Sequence, residues 1–114
     1  MGAVVVHAED VEAQHGVFRP LTDPLGVSGF RVNRLDLPAG QEGPEHDHSA
    51  NGQEELYAVV GGSGVLRVDG EEIALRPGHF VFCPPDVRRQ MAAGPDGLVW
   101  IGIGSAVSAP PTTQ

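Results

Sequence analysis

Two histidines and a glutamate near the middle of the chain have the types and the spacing of metal ligands. His46 and His48 are separated by one residue, and Glu55 follows after a short polar loop and Glu54. Alternate side chains of an extended strand point to the same face, so His46 and His48 would project together. Glu55 opens an apolar run, and antiparallel pairing of that run could bring its carboxylate back to the two imidazoles. Two imidazoles and one carboxylate form a three-point ligand set for a divalent transition metal.

The segments that must position these residues are typical of short β-strands separated by turns. The 114 residues include 16 glycines and 10 prolines, which are spread along the chain and predict many turns. We predict strands at residues 4–7, 30–37, 55–60, 65–68, 71–76, 80–83, 87–92 and 98–103. The glycine-rich runs 61–64 and 94–97 are predicted as turns, Asp69-Gly70 as a hairpin, and segment 18–27 as a loop or an edge-like extended stretch. This pattern indicates an all-β sandwich or barrel in a single domain.

Composition excludes several classes of function. The formal net charge of −8 argues against nucleic acid or an anionic membrane surface as a partner, because both require a basic face. The chain has no lysine, which excludes a Schiff-base mechanism. Cys83 is the only cysteine, and no stretch is long and apolar enough to span a membrane, so we expect a cytoplasmic protein.

The order of these residues resembles the two motifs of the cupin superfamily, in its small single-domain, conserved-barrel form. In the first motif, Gly40 precedes His46 and His48, and Glu55 lies ahead of Gly62. The second motif is matched by a glycine at position 70, then by residues 75–78 and 80–85. The resemblance extends from about residue 30 to residue 103.

This resemblance implies a small jelly-roll β-barrel that forms a homodimer and holds a metal inside the barrel. Residues 1–29 would form an N-terminal strand and loop that packs on the barrel or is exchanged across the dimer. Residues 30–104 would form the cupin barrel, and residues 105–114 a disordered tail.

Cupins bind their metal through three histidines and one glutamate, and the resemblance assigns His46, His48 and Glu55 to that set. The metal would be Fe, Mn, Ni, Cu or Zn. Two positions depart from the motifs. Arg89 occupies the slot of the third histidine, and His79 replaces the aspartate that usually follows Pro-Gly. We expect His79 to be exposed or to stabilise its turn.

Arg89 leaves three arrangements open, because a guanidinium stays protonated and has no lone pair for a metal. The site can keep three protein ligands with open positions, as in non-haem Fe(II) oxygenases. An inward Arg89 can instead repel the metal and form an ion pair with Glu55 in its place. In the third arrangement, Arg89 binds an anionic substrate beside the metal through a bidentate contact.

Three further residues are candidates for substrate contacts. Tyr57 lies two residues after Glu55 and shares its face of the strand, and Met91 stands in the same relation to Arg89. Gln53 precedes this strand and could form hydrogen bonds near the site. Core packing for Tyr57 and Met91, and solvation for Gln53, are the structural alternatives. We expect Cys83 to be a small buried hydrophobic residue rather than a nucleophile.

Two functions remain open. The first is a metal-dependent cupin that converts a small organic substrate by dioxygenase, isomerase or cyclase chemistry, and the substrate would be anionic if Arg89 binds it. The second is a non-catalytic small-molecule-binding cupin, in which a Glu55–Arg89 ion pair replaces the metal.

Overall fold

A computed structural model describes residues 2–106 as a chain built mostly from β-strands. A short 3-10 helix, Ala8–Asp10, and a single-turn helix α1, Thr22–Leu25, lie near the N-terminus. The strands are β1 Phe18–Pro20, β2 Phe30–Leu37, β3 Glu55–Val68, β4 Glu71–Leu75, β5 Phe80–Cys83 and β6 Arg89–Ser105. Within the described part of the chain, no helix is long and apolar enough to cross a membrane.

All six strands belong to one antiparallel sheet. Its order is β1-β2-β6-β3-β4, and β5 pairs with β3 at the end of β3 that β4 does not reach. The predicted all-β jelly-roll class is confirmed, although the sheet of the described residues does not close on itself. The long strands β3 and β6 pair along most of their lengths and form the spine of the molecule.

The glycine-rich run 61–64 is part of β3, so its prediction as a turn is wrong. The β3–β6 register shifts between Val59 and Gly61 and again between Gly62 and Gly64. A Cβ atom on Gly62 would lie 2.0 Å from the carbonyl oxygen of Gly97, and one on Gly64 would lie 2.2 Å from that of Ala92. The glycines therefore allow two backbones to approach closely at a bend in a continuous strand.

The second predicted turn, at 94–97, likewise lies inside a strand. The register passes from Ala93 opposite Gly64 to Leu98 opposite Gly62, so residues 94–97 bulge out of the β3–β6 ladder. The predicted strands 87–92 and 98–103 are therefore two parts of the single strand β6. The Asp69-Gly70 hairpin is confirmed, with positive φ angles of 52° and 76° and flanking strands β3 and β4.

The N-terminal region differs from its predicted form. The predicted strand 4–7 lies outside any strand, and Val5 is 92% exposed. The strand of this region is instead β1, an edge strand that pairs with β2 of the same chain. It lies within segment 18–27, for which the sequence predicts a loop or an edge-like extended stretch. Thr22 fastens α1 to β2, because its buried hydroxyl accepts a hydrogen bond of 2.8 Å from the backbone N–H of Val32.

The core lies on the inner face of the sheet, where alternate residues of β2, β3 and β6 meet. Its buried hydrophobic residues are Leu37, Tyr57, Val59, Leu66, Leu75, Cys83, Met91, Leu98 and Trp100. Cys83 is buried, as expected, and burial raises the pKa of its thiol. The predicted disordered tail is 105–114. Its first residue, Ser105, belongs to β6, and residues 107–114 lie outside the described part of the chain.

Candidate metal centre

The two histidines lie on an extended segment that runs beside the start of β6. His46 exchanges two backbone hydrogen bonds of 2.9 Å with Arg89, and the N–H of His48 donates to the carbonyl of Pro85 at 2.7 Å. Only isolated bridges form along this segment, so it is an extended loop rather than a strand. The alternation of side chains persists nonetheless, and both imidazoles turn toward Glu55 at the start of β3.

Three potential ligand atoms converge at this point. The Nε2 atom of His46 lies 3.4 Å from Oε1 of Glu55, and the Nε2 atom of His48 lies 3.2 Å from the same oxygen. One ligand atom from each of the three residues can be chosen within 4.8 Å of the other two. Ligand atoms bound at about 2.1 Å to one ion lie roughly 3.0–3.4 Å apart in octahedral or tetrahedral geometry. The donor types therefore suit a transition metal, and both distances from Oε1 of Glu55 fall in this range.

The ring of His46 is oriented by a backbone contact. Its Nδ1 atom lies 3.2 Å from the carbonyl oxygen of Pro44, an acceptor to which only a protonated Nδ1 can donate. A neutral ring with that tautomer presents a lone pair at Nε2, which faces the carboxylate of Glu55. Nε2 is therefore the ring nitrogen that a metal would use.

Glu55 is held ionised by the groups around it. Partial burial raises its pKa, but contacts with His46 and Tyr57, the charge of His48 and the contact with Arg89 outweigh burial and lower the pKa to about 2. The hydroxyl of Tyr57 donates to Oε1 at 2.6 Å. Burial and the neighbouring carboxylate raise the pKa of Tyr57, so its hydroxyl stays protonated and remains a donor.

Arg89 lies behind the carboxylate with no exposed side-chain surface. Its Nη2 atom forms an ion pair with Glu55, its Nε donates to the hydroxyl of Tyr57 at 3.1 Å, and its Nη1 donates to the carbonyl of Val87 at 2.8 Å. All three nitrogen atoms of the guanidinium are thus engaged by protein groups. The predicted ion pair with Glu55 is present, and it lies on Oε1, the oxygen that both imidazoles also face.

The three ligand candidates line a cavity of about 240 Å³, which we call the inner cavity. Its walls are largely apolar and include Phe18, Leu35, Met91 and Trp100. Tyr57 and Met91 both line this cavity and both belong to the core, so core packing does not exclude a contact with a ligand there. A cavity of this size is below the usual range for drug-sized ligands and suits a molecule of a few carbons.

A second pocket, the outer pocket, adjoins the first and has a volume of about 660 Å³. Phe18, Asn33 and Glu55 line both, so the two spaces meet there. Gln53 lines the outer pocket rather than the inner cavity, and its Nε2 donates to the carbonyl of Ser105 at 3.0 Å. Its amide is thus held at the approach to the site.

Asn33 and Arg31 are pocket residues that were not predicted. They lie on the inner face of β2, in the alternation that also places Leu35 and Leu37 inward. That alternation is a signal in the sequence for their inward face, but it does not place them beside Glu55. His79 lies outside both pockets, is exposed, and accepts a hydrogen bond of 3.0 Å from the N–H of Arg76, which confirms its turn-stabilising role.

Comparison with known proteins gives a family and a set of similar structures. A family model described as Cupin domain matches residues 33–104, which is more than half of the chain. No curated protein sequence matches the chain. A crystal structure of a cupin protein from Bacteroides fragilis is 26% identical, with a TM-score of 0.78, over 100% of this chain and 92% of that chain.

Two other solved structures share the fold at lower identity. The polyketide cyclase RemF from Streptomyces resistomycificus is 23% identical, with a TM-score of 0.77, over 94% of this chain and 81% of that one. A protein of Thermotoga maritima, described as a predicted oxalate decarboxylase, is 18% identical, with a TM-score of 0.75, over 90% of this chain and 99% of that one. At these identities the likeness shows the fold alone.

Proposed function

The chain belongs to the cupin family, and we propose that it binds one divalent transition metal through His46, His48 and Glu55. The observation that carries this proposal is the convergence of two Nε2 atoms on one carboxylate oxygen, at 3.4 and 3.2 Å, beside a small cavity. The spacing matches neighbouring ligands of one ion. Iron, manganese, nickel, copper and zinc all suit a ligand set of imidazole and carboxylate.

The protein's own residues would prepare this site in distinct ways. Pro44 orients the ring of His46, and Tyr57 holds the carboxylate of Glu55 through its hydroxyl. Arg89 offsets the negative charge of Glu55 and, as a buried cation, weakens the attraction of the site for a metal. The apolar walls of the inner cavity limit access of water to a bound substrate.

We propose further that the metal site is catalytic toward a small organic molecule held in the inner cavity. A divalent ion there would supply Lewis-acid or redox chemistry of the dioxygenase, isomerase or cyclase type. His46, His48 and Glu55 would fill only three positions of an ion and leave others open for substrate. The cavity volume of about 240 Å³ supports a substrate of a few carbons.

Cobalt titration tests the metal proposal directly. Metal-free protein titrated with Co²⁺ is expected to develop visible absorption bands that saturate at one equivalent, because three protein ligands would create a defined ligand field. The His48→Ala variant should show no such saturation. Absorption that rises without saturation in the unaltered protein, or equally in both proteins, would contradict the proposal.

The second candidate function is a non-catalytic ligand-binding cupin. It is favoured by one observation, the contact of the Arg89 guanidinium with Glu55 on the oxygen that a metal would use. Under this function Arg89 satisfies the charge of Glu55 permanently, and the inner cavity holds a ligand without metal. The same titration separates the two, since this candidate predicts no stoichiometric uptake of Co²⁺.

We also propose that the protein is a homodimer, formed through the outer face of β5, β3 and β6. The register aligns Phe82 with Leu56 and Ile103, and Phe80 with Ala58 and Ile101, in two apolar rows. Phe80 is 71% exposed and Phe82 is 57% exposed in the single chain. Two copies with a net charge of −8 repel each other, so an uncharged face is where they can associate.

Substitution of one exposed phenylalanine should separate the dimer. Light scattering is expected to give the protein about twice the chain mass of 11.9 kDa, and Phe80→Glu the mass of one chain, because a buried unpaired carboxylate opposes association. Val5→Glu is the matched control, since Val5 is 92% exposed and lies outside this face. A monomeric unaltered protein would contradict the proposal.

We propose the cytoplasm as the location of the protein. Cys83, the only cysteine, is a buried thiol, which suits a reducing compartment. Recovery of the protein from an extracytoplasmic fraction of its native cell would contradict this assignment.

A further inference from the structure

Arg31 and Glu55 belong to one row of side chains across the sheet. Arg31 of β2 pairs with Gly104 of β6, and Gly104 in turn pairs with Glu55 of β3. Residues aligned in register share a face, and Arg31 and Glu55 both line the outer pocket. Two strand spacings place their Cα atoms about 10 Å apart. A short molecule can therefore contact both side chains at once.

The position between them carries no side chain of its own. Gly104 is covered by Gln53, whose Nε2 would lie 2.7 Å from a Cβ atom at residue 104. Gln53 is fixed in turn by its hydrogen bond to the carbonyl of Ser105. The fixed amide of Gln53 thus forms the surface between Arg31 and Glu55. This surface continues into the inner cavity at Asn33.

Arg31 has charge available for a ligand. Five of the seven arginines form ion pairs within the described residues, and Arg31 and Arg76 do not. Arg31 is the only cation among the described residues that line the outer pocket, and Glu55 is the only carboxylate. Asn33 likewise makes no side-chain hydrogen bond within residues 2–106 and lies where the two spaces meet.

All three nitrogen atoms of Arg89, which the sequence suggests as a contact for an anionic substrate, are engaged by protein groups. Arg89 contacts Glu55, Tyr57 and the carbonyl of Val87, and its side chain is fully buried. A ligand anion at Arg89 would have to displace one of these contacts. Arg31, which is exposed and lacks an ion pair among the described residues, needs no such displacement.

We propose that Arg31 binds a carboxylate at one end of a small organic acid whose other end reaches the His46–His48–Glu55 centre. This inference rests on the proposed metal function, and it names the substrate class as a short molecule with two oxygen-bearing ends. The guanidinium of Arg31 can donate two parallel hydrogen bonds to a carboxylate, and the amide of Asn33 supplies a hydrogen bond between the two ends. On a chain with a net charge of −8, this single cation selects which anions enter.

Two matched probes test the assignment. 2-Oxoglutarate and 2-oxopentanoate share a metal-chelating 2-oxo acid and differ only in whether the far end is a carboxylate or a methyl group. Calorimetry on the Co²⁺-loaded protein is expected to show tighter binding of 2-oxoglutarate. Arg31→Gln should weaken that binding roughly tenfold and leave both 2-oxopentanoate and Co²⁺ binding unchanged, because one charged hydrogen-bonded contact is lost.

Arg76→Gln is the control, since Arg76 also lacks an ion pair in the described part of the chain and lines neither space. It should bind both probes as the unaltered protein does. Equal weakening of both probes by Arg31→Gln, no weakening, or no saturable binding of 2-oxoglutarate would overturn the inference. Failure of the proposed metal function can be distinguished from failure of this inference. If Co²⁺ does not bind, the same titrations on metal-free protein still measure whether Arg31 binds the far carboxylate.

Discussion

The His46→Ala variant is expected to bind metal at least about 100-fold more weakly than the unaltered protein. The affected atom is Nε2, 3.4 Å from Oε1 of Glu55, and only two of the three protein ligands would remain. Loss of residues that merely orient a ligand lowers metal affinity by about 10- to 100-fold, so loss of a ligand itself should cost no less. Isothermal calorimetry with Zn²⁺ on metal-free protein measures the change.

His79→Ala is the matched control for this variant. His79 is exposed and lies outside the inner cavity, and its ring accepts a hydrogen bond from the N–H of Arg76 in its own turn. We expect a small loss of stability and an unchanged affinity for Zn²⁺. If His46→Ala retains the affinity of the unaltered protein, His46 is not a ligand. If both variants lose affinity equally, the binding is not specific to this site.

Replacement of Arg89 is expected to change stability and metal affinity in opposite directions. Arg89→Met removes a fully buried cation from Glu55, Tyr57 and the carbonyl of Val87, and leaves a largely buried carboxylate without its cation. Breaking one side of a buried ion pair costs about 3 kcal/mol or more, which should lower the free energy of unfolding of the metal-free protein by that amount. Removal of the repelling charge should raise the affinity for Zn²⁺ roughly tenfold or more.

Arg88→Met separates this effect from a general loss of charge. Arg88 is 58% exposed and forms surface ion pairs with Glu45 and Asp47, each worth at most about 1 kcal/mol. Chemical denaturation of both variants therefore compares a buried and an exposed ion pair. Equal small losses would show that Arg89 does not pair with Glu55 in solution.

A second substitution covers the case in which Arg89→Met does not fold without metal. Arg89→His places a fourth potential ligand where the family has its third histidine, and it should fold in the presence of Zn²⁺ with a higher affinity than the unaltered protein. A variant that folds but binds Zn²⁺ no more tightly would indicate that residue 89 does not face the ion.

The local sequence is sufficient to predict those strands and turns whose conformation depends only on their own residues. Short runs of strand-forming residues bounded by turns predict β2 and β5 with the bounds observed, and Asp69-Gly70 predicts the hairpin because its conformation depends on two residues alone. The glycines of 61–64 are different. Whether they turn the chain or allow a close approach depends on where β6 lies, and the sequence of β3 does not contain that information.

The candidate site likewise has residues that the local sequence predicts and residues that it does not. The i, i+2 spacing of His46 and His48 predicts that they project together, and their ligand atoms do converge with that of Glu55. Arg31 could not be placed beside the site from its own surroundings, because its relation to Glu55 passes through Gly104, far along the chain on β6. The register of β2, β6 and β3 must all be known before Arg31 can be placed in one row with Glu55.

The metal centre is tested most directly by elemental analysis of protein purified without an affinity tag that binds metal and without chelators. The convergence of His46, His48 and Glu55 predicts iron, manganese, nickel, copper or zinc at close to one atom per chain. Metal far below that ratio, with none taken up when the ions are added back, would contradict the metal centre. The contact between Arg89 and Glu55 would then stand as the permanent arrangement of the site.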